Sequence, residues 1–134
     1  MSIVSNALLS EQEVIIRESA RRVATEVVGS TAAERDRTGA WPHDEIKAVA
    51  DVGFMGMLAP PAYGGSGLSF VEYCLAIEEF AAADGGFATM MHVHNSAAHV
   101  LRSFGTEQQM ARHLPDLASG KRKIGRASWG KSVR

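Results

Sequence analysis

Apolar positions along this chain recur at helical spacing, and most of the runs open on a recognisable start signal. Ser10 and Glu13 form an S-x-x-E capping box ahead of Val14, Ile15, Ala20, Val23, Ala24, Val27 and Val28. Gly29 is the predicted stop, since glycine accepts the left-handed conformation at a helix end. The polar stretch STAAERDRTGA then reads as a connection. Pro42 can occupy the first turn of a second helix, where its missing N–H costs nothing, and Ile46, Val49 and Ala50 form the apolar stripe up to Gly53. Phe54, Met57 and Leu58 continue as an apolar connection that Pro60 and Pro61 break.

Ser69 and Glu72 make a second capping box, and Phe70, Tyr73, Cys74, Ile77, Phe80 and Ala81 line one face of a third helix. After Asp84-Gly85-Gly86, residues 87–104 read as a fourth helix, apolar around much of its circumference and therefore the predicted central one. Thr106 and Gln109 give a third box, opening a fifth helix toward Gly120 that Pro115 should kink or split. With no convincing strand, the expected fold is all-α, a bundle of about five to six helices.

Composition narrows this to one ordinary globular domain: 134 residues, 46% hydrophobic and 22% charged. The single Cys74 cannot form an internal disulfide, which suggests a reducing compartment. No apolar run approaches the roughly 20 residues needed to span a bilayer. The opening MSIVSNALLSEQE lacks a signal peptide's basic and apolar regions and the arginines of a transit peptide, so a cytoplasmic protein is expected. Charge is uneven. Residues 1–120 hold all 15 acids and eight of the 14 bases, a net −7, while residues 121–134 hold six bases and no acid. Any nucleic-acid binding would rest on that tail, where one aromatic, Trp129, stands among the cations. A non-specific tail is the simpler reading.

Four features invite chemistry. In Gly64-Gly65-Ser66-Gly67-Leu68-Ser69, a glycine-rich turn precedes a helix, as in a phosphate cradle. It lacks the lysine of a P-loop and the preceding strand of a dinucleotide fold, so a structural turn with Tyr63 folded back on the helices is expected. His92, His94 and His99 suggest a metal, but residues two apart on a helix point roughly 200° apart and none of the pairs is i, i+4, so no metal site is expected. Cys74, on the predicted apolar face, reads as a small buried hydrophobe. The adjacent Glu78 and Glu79 diverge by about 100° and read as a charged face rather than an acid–base pair.

The segments PAYGGSGLS, EEFAAAD, HVHNS followed by FGTEQQ, and LPDLASG occur in one order across about residues 8–125. In that order they resemble the N-terminal helical domain of acyl-CoA dehydrogenases. The resemblance implies a larger enzyme with a middle β-domain and a C-terminal four-helix bundle. In such an enzyme FAD takes a hydride from the β-carbon of an acyl-CoA while a glutamate removes the α-proton, and electrons pass to an electron-transfer flavoprotein. It also implies that this domain supplies a wall of the acyl-chain pocket, carried here by Ala88, Thr89, Val93 and Ser96. No catalytic residue is expected in this chain, and no FAD on it alone. After KIG the family runs into a Leu-Thr-Glu-Pro-like segment, whereas this chain reads RASWGKSVR. Residues 1–125 are therefore taken as the family-like domain and 126–134 as a departing basic tail, reading as a frameshift, a premature end or a cloning boundary. The alternative is a non-catalytic helical module that self-associates through the apolar face left uncovered.

Overall fold

The computed structural model describes residues 8–122; the tail at 126–134, and the readings attached to it, lie outside them. Among the described residues all regular structure is helical: α1 (Glu11–Val23), a π-helical stretch (Ala24–Gly29), α2 (Ser30–Thr38), α3 (His43–Asp51), α4 (Phe70–Ala83), α5 (Gly85–Phe104) and α6 (Glu107–Ala118). Short 3-10 turns at Phe54–Gly56 and Pro61–Tyr63 fill the α3–α4 connection. The all-α expectation holds.

All three predicted capping boxes form. Ser10, Ser69 and Thr106 accept from the backbone N–H three residues on, and Glu13, Glu72 and Gln109 reach back to the cap. Two expected breaks do not occur. The first helix does not stop at Gly29, whose φ is −67°, but runs through the π stretch into α2 and ends at Gly39 with φ +67°. Gly29 serves close packing instead: a Cβ there would lie 3.5 Å from the Ala83 Cβ of α4. Nor does Pro115 split the last helix, since α6 continues through it to Ala118. Pro42 stands one residue outside α3, at its N-cap.

α4 packs between α1 and α5. The main core gathers Ala20, Ala24 and Val28 of the first helical run, Ile46 and Val49 of α3, Phe54, Met55 and Met57, Phe80 of α4, and Phe87 and Met91 of α5. Burial of each large apolar side chain contributes about 1.5–3 kcal/mol against conformational entropy. Phe80 joins two elements through its ring, meeting Phe54 edge-on at 5.3 Å and Phe87 at 6.2 Å. A second cluster, Ala59, Ala98, Leu114, Leu117 and Ala118, seats α6, with Tyr63 packed against it as expected.

The polar α2 is held chiefly through Arg35, with Thr31 also donating to Glu45. Arg35 reaches Glu45 of α3 at 2.7 Å, Asp84 at the N-cap of α5 at 2.7 Å and the Val28 carbonyl at 2.9 Å, and it also bonds Thr31. Burial pushes the Asp84 carboxyl up, but the Phe87 N–H and Arg35 outweigh it and hold it below the usual range. Glu45 is likewise lowered against its burial, by Thr31 and Arg35. A second tie, Arg21 to Glu79 at 2.8 Å, fastens α1 to α4. Glu79 is thus a buried ion-pair partner rather than part of a solvated charged face.

Candidate functional site

The glycine-rich loop is built for packing. A Cβ at Gly65 would fall 2.0 Å from the Ala59 carbonyl oxygen, so backbone passes directly over backbone there, and Gly64 takes φ +83° to make the turn. The loop is pinned from outside by Leu68 N–H donating to Met57 O at 2.8 Å and Ser66 N–H to Gly56 O at 2.9 Å. At the start of α4 the Glu72 carboxylate already accepts from the Ser69 N–H at 2.7 Å. With the Ser69 N–H already taken and the loop backbone packed on Ala59, the turn offers no open cradle for the diphosphate of a dinucleotide.

α5 presents two unlike faces. Its inner face buries Phe87, Ala88, Met91, His94, Asn95 and Ala98. The Asn95 amide donates to Phe54 O and Met91 O, both at 3.1 Å, and its Oδ1 accepts from Leu58 N–H at 3.4 Å. His94 bonds Leu117 O at 2.9 Å, tying down the last turn of α6, and burial pushes its imidazole pKa down. The outer face exposes Thr89, His92, Val93, Val100 and Phe104, with Ser96 half-buried among them. One side of α5 is therefore open, and α5 is not enclosed all round as its apolar sequence suggested. α4, apolar on several sides, also turns differently: Leu75 and Ala76 point inward while Phe70, Cys74 and Ala81 are exposed. Cys74 is a surface thiol and not the buried hydrophobe expected.

Of the four residues carried over for the acyl wall, Thr89, Val93 and Ser96 share this outer stripe. Ala88, about 100° away, packs into the core behind it. The histidines go three separate ways. His94 is in the core, His92 meets the Tyr73 hydroxyl at 2.7 Å, and His99 lies edge-on to Phe70 at 5.0 Å. Among the described residues no group of three or more His, Cys, Asp or Glu is placed to hold a metal ion. Sequence reading missed the Tyr73–His92 pair. The two residues are 19 apart, and only the packing of α4 on α5 brings them together. It also missed a second apolar recess, a groove of about 420 Å³ between α1 and the loop, walled by Ile16, Val23, Phe54 and Leu68. No described helix is long and apolar enough to cross a membrane.

Residues 10–121 match the family model for the acyl-CoA dehydrogenase N-terminal domain. The short-chain specific acyl-CoA dehydrogenase of Clostridium acetobutylicum is 32% identical over 87% of this chain and 31% of its own length. The caffeyl-CoA reductase–Etf complex subunit CarC of Acetobacterium woodii is 33% identical over 86% of this chain and 31% of its own. Among solved structures, glutaryl-CoA dehydrogenase from Mycobacterium smegmatis superposes with a TM-score of 0.81 at 33% identity, covering 88% of this chain and 31% of that one. The chain thus spans about a third of the length of the proteins it matches.

Proposed function

Since the chain belongs to the acyl-CoA dehydrogenase family, as its N-terminal domain, we propose that the outer face of α5 forms one wall of an acyl-chain pocket in a longer, FAD-dependent enzyme. The observation that carries this reading is the open apolar stripe itself. Val93 is 44% and Val100 55% exposed on a helix whose other side is fully packed, an arrangement that marks a contact surface on a soluble domain. Thr89 and Val93 offer an alkyl chain a small, methyl-bearing surface, and each methylene they shield from water is worth about 0.8 kcal/mol. Ala88 supports the stripe from behind, where a larger side chain would push α5 off the core.

The family is one of FAD-dependent flavoproteins, and in the full enzyme FAD supplies the hydride acceptor. The residues described here do not fit it, because the one glycine-rich turn is closed by packing and by Glu72. We therefore assign this chain no redox step of its own; its part is to bind, orient and exclude water. Electron-transfer flavoprotein is the proposed electron partner of the longer protein, supported by the Etf-complex subunit among the relatives. The exposed Cys74 thiol favours a reducing compartment, and we place the protein in the cytoplasm.

Titrating the purified chain with pentanoyl-CoA tests the reading. The methyl NMR signals of Thr89 and Val93 should shift while those of core Val28 and Val49 stay fixed, and an artificial acceptor should not be reduced. Unmoved Thr89 and Val93 signals would sink the wall, and turnover would sink the claim that the chain is inactive alone. A second reading, self-association through the same face, is favoured by Phe104, which is 85% exposed at the end of the stripe.

A further inference from the structure

Two apolar recesses lie away from the outer face of α5, and they differ in charge. The groove of about 420 Å³ between α1 and the glycine-rich loop has the nearly buried Phe54 as its most enclosed wall. Ile16, Val23 and Leu68 stand half-buried around it. Among the described residues that line it, Arg22 is the one that carries a charge. Arg22 is exposed and forms no ion pair with another described residue, whereas its neighbour Arg21 engages Glu18 and Glu79. The other recess, of about 360 Å³, is lined by Leu9, Phe70, Val71, Cys74 and Leu75, and its charged residue is the acid Glu78.

Enclosed apolar surface beside a single cation defines a ligand class. Apolar walls gain by shielding methylenes from water. A guanidinium presents a planar fork of N–H donors that matches a carboxylate, and its aliphatic stem can lie along an apolar wall while the head stays in water. A ligand that satisfies both has an alkyl body and one anionic head. The recess at Glu78 offers the same apolar surface but repels that head. We propose that the groove between α1 and the loop binds single-chain alkyl carboxylates, with the tail against Ile16, Phe54 and Leu68 and the head on Arg22. Because α4 packs between α1 and α5, this site is separate from the α5 face and does not depend on the acyl-wall reading.

The test titrates the 134-residue chain with octanoate below its micelle concentration, with octyltrimethylammonium and with acetate, observing methyl groups by NMR. Octanoate should move the Ile16, Val23 and Leu68 methyls saturably and leave Val71, beside Glu78, in place. The ammonium compound has the same tail and the opposite charge, so its midpoint should lie roughly two- to fivefold higher, the scale of an exposed ion pair. Acetate, a head without a tail, should move none of them. Arg22→Gln, at an exposed position, should bring the two eight-carbon midpoints together. Unmoved Ile16 and Leu68 signals, equal midpoints in the unaltered chain, or a gap that survives Arg22→Gln overturn the proposal. So does a Val71 shift at the same octanoate midpoint, which would mean general adsorption on exposed apolar surface, or an equal response to acetate. Thr89 and Val93 report on the α5 face, so failure of either reading leaves the other standing.

Discussion

On its inner side α5 buries an amide and an imidazole, Asn95 and His94, both fully enclosed. On its outer side it leaves Val93, Val100 and Phe104 in the open. The usual sorting of polar and apolar residues is thus reversed at these five positions, for two different reasons. Inside, the chain between Phe54 and Leu58 crosses the core as a 3-10 turn and cannot satisfy its own backbone. Asn95 supplies both a donor and an acceptor to it. Outside, no described element covers the apolar stripe, and Val93, Val100 and Phe104 keep much of their surface in solvent. Polar groups within the core serve the fold, and the apolar groups on the surface are left available for a contact beyond it.

The sharpest way to break this contrast is Asn95→Leu. The substitution keeps the branched shape, at a larger volume, but strips partners from Phe54 O and Leu58 N–H, both inside the core. Unpaired buried groups cost about 1–3 kcal/mol each, so urea unfolding should show a loss of about 3 kcal/mol. A loss below about 1 kcal/mol would mean that the 3-10 segment finds other partners and that the inner face is not the anchor described.

Acid should separate the faces more gently. His94 has its folded pKa lowered from 6.5 by burial, so the unfolded chain binds a proton more readily. Its stabilisation is whole above about pH 6.5 and drains away as pH falls below that value. Asp84 and Glu45, also lowered from 3.8 and 4.5, lose theirs in the carboxylate range. The melting temperature should therefore be level above about pH 7, decline below 6.5, and fall faster below about 4. In His94→Gln the upper decline should vanish whatever happens to the absolute stability; its persistence would place the titrating group elsewhere.

How much of this was legible depends on range along the chain. The capping boxes were readable because Ser69 and Glu72 satisfy each other three residues apart, with no help from the fold. α2 was not, because its order comes from Arg35 bonding partners 10 and 49 residues away, and a polar helix with one inward arginine has no apolar stripe to detect. Cys74 was misplaced because α4 packs between two helices and its apolar residues exceed what either neighbour covers. At the candidate site, the motif order pointed to Ala88, Thr89, Val93 and Ser96, all of which lie on α5. The resemblance could not tell that Ala88 turns inward while Thr89 turns out, nor that Tyr73 would arrive beside His92. Those facts belong to the packing of α4 on α5.

The smallest expected effect on stability falls at Phe104, and it decides what the outer face does by itself. Phe104→Ser removes a ring that is 85% exposed, so unfolding free energy should stay within about 0.5 kcal/mol, as for other surface changes. Association should respond instead. If the stripe adheres to a second copy, the unaltered chain will sediment faster as its concentration rises and Phe104→Ser will remain monomeric over the same range. If the unaltered chain is monomeric throughout, self-association is excluded, and the stripe is left to the acyl chain and the covering domains of a longer protein. A large loss of stability would contradict both readings at once, because it would make Phe104 a packing residue and place part of the core on the face taken here to be open.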